Sequence, residues 1–384
     1  MNNLPEEIFE NCILAGEDAI GNLPNSAGFV LFADSQDLPI LLLACANIRR
    51  NAKNKLAEKI DPSTGLRAGA IKKADLKSIT AKIYYTVCPC KFRLAIKYYD
   101  AARKVFGQKY KEHIKLVLPW FIRIDLGGTI PVFSITKRPM FKADEEILGP
   151  FASQKTAATF LKALEDAFRL CKRNDLVNNP ALAKSCPYIQ MDGCCGVCGG
   201  KVSIEDYKNI IKDAFEAGAE PKAAIEELKG QMQQASAELS FEKAAQLKKR
   251  IEKLAGLMKQ AYRWTGDLKK IKIVHIDKAG KIRAKGIRAK VQTPRLRSGQ
   301  AYAVFVMNFG QVIDLGDFLL DDADSIIEAI NKAIEKIQVQ TGDIEKLAER
   351  FSIVSYFLYR TKPSGLWLNA GEGVDKDEFL RLFS

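Results

Sequence analysis

Residues 186–198 read CPYIQMDGCCGVC, and a further cysteine, Cys171, stands just upstream in AFRLCKRND. Five of the chain's 9 cysteines therefore fall within residues 171–198. The crowding has four readings: a disulfide knot, a metal or iron–sulfur site, a redox pair, or small buried residues. The cysteine count is odd, and the N-terminus MNNLPEEIFENCILAGEDAI has no basic n-region followed by an apolar run. Both point to a reducing, cytoplasmic compartment, which disfavours structural disulfides. A thioredoxin-like pair needs Cys-x-x-Cys at a strand-to-helix junction, and Cys195–Gly–Val–Cys198 has that spacing but lies in a glycine-rich loop. A zinc ribbon offers two such knuckles where this segment offers one, and Cys88–Pro–Cys90 is too tight for another. Soft thiolates suit zinc or an iron–sulfur cluster, and the other readings of the spacing stay open.

At 384 residues, the chain is long enough for two or three domains. Hydrophobic residues make up 47% and the mean hydropathy is −0.12, values of a globular chain rather than a disordered one. Its longest apolar stretch, LPILLLACA (38–46), falls far short of the ~20 residues that cross a bilayer, so a buried strand is expected and no membrane partner. A net charge of +13 favours a polyanionic partner, nucleic acid first. From Lys269 to Arg297 eleven Lys or Arg face a single acid, Asp277. Within that run Lys281, Arg283, Lys285, Arg288 and Lys290 alternate with small or apolar residues, which predicts cations along one strand face. The stretch NIRRNAKNKLAEKI (47–60) reads as a second basic element, a helix carrying Arg49, Arg50, Lys53 and Lys55.

Alternation predicts strands at 28–33, 39–46 and 81–87, then a helix over 92–107. A strand pair at 121–126 and 131–136 precedes an amphipathic helix, 155–170, that delivers Cys171. Ser203 is placed to cap the next helix. Residues 220–260 are helical with a break of phase near Ser240, which predicts a hairpin of two helices. The last 120 residues alternate strands and helices, and they are expected to form a separate α+β domain. His113 and His275 stand alone and are read as structural.

The segment CPYIQMDGCCGVCGGKVSIEDYKNII resembles the cysteine region of UvrC, the nuclease subunit of bacterial nucleotide-excision repair. GPFASQKTAATFLKALEDAFRLC is similar to the UvrC stretch that leads to the first cysteine of that set. The resemblance implies that Cys171, Cys186, Cys194 and Cys198 hold a [4Fe–4S] cluster, with zinc as the alternative. Two departures are a first interval of fourteen residues and the extra thiol of Cys195, a rival to Cys194. LKGQMQQASAELSFEKAAQLKKRIEKLAGL is similar to the UVR motif shared by UvrB and UvrC. It implies a UvrB-like partner, or a second copy, bound through Leu239, Phe241, Ala244, Ala245, Ile251 and Leu254. The alternative is an ordinary internal hairpin.

UvrC begins with a GIY-YIG nuclease domain, whose chemistry needs paired tyrosines, a glycine, an arginine and a metal-holding glutamate. In the corresponding places this chain has Gly28–Phe29–Val30, Leu41–Leu42–Leu43 and Asn51, and the glutamate falls on Tyr98 or Tyr110. Losing all four groups removes the mechanism. The expected architecture is α+β: a degenerate GIY-YIG-like α/β domain (1–145), a Cys-rich iron–sulfur segment (146–215), a UVR helical hairpin (216–262) and a C-terminal α+β domain (265–384). The implied function is a non-catalytic, DNA-repair-associated protein that binds DNA through its basic surfaces. One alternative is a structure-specific, metal-dependent endonuclease with relocated catalytic residues, Tyr98 and Asp100 foremost. The other is a scaffold of repair-derived modules that does not act on DNA.

Overall fold

The computed structural model describes residues 4–16, 20–57, 76–173, 186–191, 193–282, 299–319, 323–338, 342–371 and 373–381, without the side chains of 4, 280–282, 299 and 378. Among the described residues the strands form three four-stranded sheets, and helices pack on and between them. No described helix is long and apolar enough to cross a membrane.

The first sheet has the order β1–β4–β2–β3, from β1 (Asn11–Leu14), β2 (Gly28–Ala33), β3 (Pro39–Cys45) and β4 (Lys82–Val87). Every residue of β2 is buried, because both faces of the sheet are covered. On one face Phe29, Leu31, Leu42 and Tyr84 meet Phe9 and the helix Lys91–Phe106. On the other, Val30, Phe32, Ile83 and Cys45 meet Ile48 and Ala52 of the basic helix Ile48–Ala57. Numbered along the chain, Leu4–Ile8 is α1, Ile48–Ala57 is α2 and Lys91–Phe106 is α3. Gly28 is required by close approach: a Cβ there would stand 2.1 Å from the Thr86 carbonyl oxygen. Asp37, at positive φ in the β2–β3 turn, accepts from Lys82 Nζ at 2.8 Å and from the Tyr84 hydroxyl at 2.7 Å.

In the second sheet, of order β6–β5–β7–β8, β5 is Trp120–Asp125, β6 Phe133–Thr136, β7 Glu145–Phe151 and β8 Gly266–Asp267. The pairing of β5 with β7 runs across the expected boundary at 145/146, since a hairpin needs a neighbour that the composition of 120–136 does not reveal. The sheet's apolar face (Ile122, Ile124, Leu148, Phe151) packs on α4 (Gln154–Phe168), α5 (Ile204–Ala219), α6 (Pro221–Ala237) and α7 (Phe241–Ala255). Ser203 caps α5 by accepting from the Asp206 amide at 3.0 Å, and the predicted break at Ser240 separates α6 from α7.

The third sheet runs β11–β10–β9–β12, from β9 (Ile273–Ile282), β10 (Gly299–Met307), β11 (Val312–Leu319) and β12 (Leu366–Asn369). Val274, Ile276, Val304 and Val306 pack under α8 (Ala323–Lys336). The opposite face, with Ala303, Phe305 and Met307, joins the first sheet's core through α3 and α9 (Ile344–Leu358). The unit expected to stand apart thus shares its core with the N-terminal one. Strand periodicity tells that a face is buried and not what buries it. At the seam Phe92 of α3 lies 4.9 Å from the rings of His275 and Phe305, 5.3 Å from Phe357 and 5.6 Å from Trp367. Glu349 of α9, 5% exposed, accepts the hydroxyls of Tyr99 and Tyr110 at 2.7 and 2.6 Å. Ion pairs Arg93–Asp317 (2.7 Å) and Arg350–Asp100 (2.6 Å) close the rim.

Phe92→Ala should cost about 3–5 kcal/mol, the usual loss for a buried phenylalanine. Hydrogen exchange should then show β4 and β10 losing protection together; loss confined to one of them would refute a shared core. Burial holds His275 neutral, its pKa lowered to about 3 against a Leu366 carbonyl contact that raises it. The unfolded chain takes up that proton near pH 6.5, so this contribution to stability is complete above 6.5 and is lost as pH falls toward 3. His275→Leu should flatten the dependence of the urea midpoint on pH in that window, and an unchanged slope would exclude the assignment.

Candidate functional site

Cys171 follows α4, where Arg169 turns left-handed at φ 53° and redirects the chain. Cys186 precedes the short turn Pro187–Gln190, and Cys194–Cys198 form a loop with Gly196 and Gly200 both at φ 74°. The Cys195 amide donates to the Arg169 carbonyl at 2.6 Å and ties this loop to the end of α4. The Cys171 amide donates to the Tyr207 hydroxyl at 3.4 Å, so α5 supports the first cysteine. Cys171, Cys186, Cys194 and Cys198 are all buried, at 8, 3, 4 and 8% exposure, while Cys195 is half-buried.

All nine cysteines are free thiols. Burial pushes the Cys171 thiol up to about 11, and the thiols of Cys198, Cys194 and Cys186 push it further the same way; a carbonyl contact at Arg173 opposes them. Cys194 is raised first by burial and further by Cys186 and Cys198. The four expected cysteines therefore occupy one neighbourhood. They are four buried thiols without a disulfide. Among the described residues, no group of three or more His, Cys, Asp or Glu has the spacing to hold a metal ion.

The basic helix α2 is divided in its duties. Arg49 Nε donates to the Leu23 carbonyl at 2.6 Å and pins a loop, while Arg50 and Lys53 are exposed and Lys55 is half-buried. The second basic stretch is not visible to the same degree: the Lys281 side chain and Arg283, Lys285, Arg288 and Lys290 lie outside the described residues.

At the positions where nuclease chemistry would sit, Phe29, Val30 and Leu42 are core residues and Asn51 donates to the Asn47 carbonyl at 2.9 Å. Tyr98 donates to the Leu42 carbonyl at 3.2 Å, whereas Asp100 pairs with Arg350. The two face different elements, β3 and α9, and do not form one constellation.

The α6–α7 hairpin is polarised. Leu254 is fully buried in the middle core, Ile251 and Ala244 are half-buried, and Arg250 lies 3.7 Å over the Phe168 ring. At the turn Leu239, at φ 56°, is 72% exposed and Phe241 66%, with Ala245 exposed beside them. Of the six residues expected to meet a partner, Leu254 is thus committed to the chain's own core. The Glu349 network was not legible beforehand, because LAERFSIV reads as an ordinary helix and its tyrosine partners lie some 240 residues away.

Comparison with known proteins agrees with this geometry. The family model "UvrC/Cho excinuclease, middle domain" matches residues 120–217, and "UvrB/uvrC motif" matches residues 222–257. UvrABC system protein C of Caldicellulosiruptor saccharolyticus is 22% identical over 235 residues, 60% of this chain and 37% of that protein. The proteins of that name from Nautilia profundicola and Syntrophus aciditrophicus are 28% and 29% identical over 121 and 124 residues, each match covering 19% of the relative and 32% or 31% of this chain. The chain thus spans well under half the length of these relatives. No solved structure matches it. The first of the two matched regions covers β5, β6 and β7, α4, the cysteine loop and nearly all of α5, the other the α6–α7 hairpin, and over these modules the chain is UvrC-like.

Proposed function

We propose that the chain is a non-catalytic, repair-associated subunit that binds DNA through basic surfaces and a UvrB-like protein, or a second copy, through the hairpin tip. The observation that carries the reading is the pair Leu239 and Phe241, two large apolar side chains held out to solvent at the turn of a motif found in UvrB and UvrC. The hairpin's inner face is anchored in the middle core through Ile225, Leu228 and Leu254, so the tip carries its exposed large apolar side chains. Exposed Arg50 and Lys53 on α2 offer a phosphate-tracking face. The absence of chemistry, and a degenerate GIY-YIG-like domain, are supported by the first sheet, which is apolar on both faces where an intact GIY-YIG domain would keep a polar cleft.

In this reading Cys171, Cys186, Cys194 and Cys198 would hold a [4Fe–4S] cluster. Such a group supplies four metal–thiolate bonds that lock a loop otherwise tied by a few backbone contacts. Arg169, Cys195 and Tyr207 position those cysteines from α4 and α5.

Anaerobically purified protein should carry about four irons per chain, with none left in Cys194→Ser and all retained in Cys195→Ser. Stoichiometric zinc without iron would replace the cluster by a structural zinc. Phe241→Ala should weaken binding to a UvrB-like protein, or self-association, by about tenfold, as loss of a central aromatic anchor does; unchanged sedimentation and titration would remove the tip as an interface. The pair Arg50→Ala, Lys53→Ala should reduce the slope of log affinity for duplex DNA against log salt by about 2. Cleavage of nicked or bubble DNA with Mg²⁺, abolished by Tyr98→Phe or Asp100→Ala, would overturn the non-catalytic assignment.

A further inference from the structure

A groove of about 520 Å³ opens where the middle sheet meets the C-terminal end of α9. Val117, Pro119 and Ala152 form one side, and Tyr356, Arg360 and Lys362 form the other. Tyr356 is 62% exposed and Val117 72%, so an aromatic ring and an apolar wall face solvent across the opening. Arg360 lies 5.4 Å over the Tyr356 ring and 5.8 Å over Phe357. Beside Pro119 along the chain, Trp120 carries the Lys137 ammonium 4.8 Å over its own ring. Among the described residues that line the groove, every charged side chain is cationic.

The floor adds a polar group with nothing to bond. Ser355 is 5% exposed, and its hydroxyl has no hydrogen-bond partner. Its neighbour in the groove, Tyr359, is already used, donating to the Pro150 carbonyl at 2.7 Å. The Ser355 oxygen has less than 1 Å² of accessible surface, so the hydroxyl is closed off beneath the groove and plays no part in holding an occupant.

These features specify an occupant. An exposed flat ring in contact with a cation, with apolar Val117 and Pro119 in the same lining, suits a planar aromatic group. Cations alone around the rim suit an anion attached to it. A nucleobase with its flanking phosphates has both parts. In a duplex the base is stacked and paired and its faces are unavailable, so the strand must be single. The C-terminal carbonyls of α9 repel phosphate, so Arg360 and Lys362 are the groups to carry it. A larger cleft beside α6, of about 1020 Å³, mixes Asp213, Glu216 and Glu227 with Arg250, Lys269 and Lys270, so its charge does not select an anion.

We infer that this groove seats a base of single-stranded DNA on Tyr356, with its phosphates on Arg360 and Lys362. The choice of DNA rests on the DNA-binding reading above; the groove itself is separate from α2.

The test uses the full chain and fluorescence anisotropy with three probes: a thymidine decamer, the same decamer with abasic sites, and a duplex. Tyr356→Ala should weaken the thymidine decamer by about five- to hundredfold, the usual range for one lost stacking partner, and leave the abasic strand and the duplex unchanged. Tyr356→Phe should restore the affinity. Arg360→Ala with Lys362→Ala should lower the salt slope for the single strand by about 1.4. Equal losses for thymidine and abasic strands, or no loss at all, overturn the proposal while duplex binding still supports the reading it rests on. If none of the three probes binds even at low salt, that reading fails and the inference with it.

Discussion

The seam around Phe92 decides how this chain is built. An aromatic ring fully buried among His275, Phe305, Phe357 and Trp367 must be matched on all sides, because interiors pack as densely as crystals. Those four rings come from β9, β10, α9 and β12, and Phe92 comes from α3. The first and last parts of the sequence therefore close one core between them. Glu349 reinforces it as a buried acceptor for two tyrosine hydroxyls of the other unit. The middle module is held between them, with Phe121 stacked on Phe351 and packed 6.2 Å from Phe309.

How far the sequence could be read follows from the range of each signal. The Ser203 cap, the break at Ser240 and the strand at 28–33 were legible because each depends on neighbours within a few residues. The gathering of Cys171 with the later three cysteines was legible only through resemblance, since nothing local links it to Cys186. Strand β8 was not legible at all: Gly266–Asp267 has the composition of a turn, and it becomes a strand because β7 offers an unpaired edge. The same holds for α9, whose buried acid could not be distinguished from a solvated one until its partners in α3 and Tyr110 were known. The tie between the Cys195 amide and the Arg169 carbonyl is a backbone bond, which side-chain identity does not encode.

The polarised hairpin explains how one short motif can serve two ends. Its inner face, from Ile225 and Leu228 to Leu254, is spent on the middle core, so the helices exist without a partner. Its tip keeps Leu239 and Phe241 outside, a small exposed apolar patch. The sides between are rich in Lys and Glu.

Strand β8 pairs with β7, so the chain leaves the middle sheet at Phe151 and returns to it at Gly266. Everything between, the cysteine loop and the hairpin included, is an excursion with both feet on adjacent strands. Closing a longer excursion is inexpensive, about 0.6 kcal/mol for each doubling of its length. Closure therefore sets little limit on the excursion's length, and the limit comes instead from the face at Ile225, Leu228 and Leu254 that packs on the middle core.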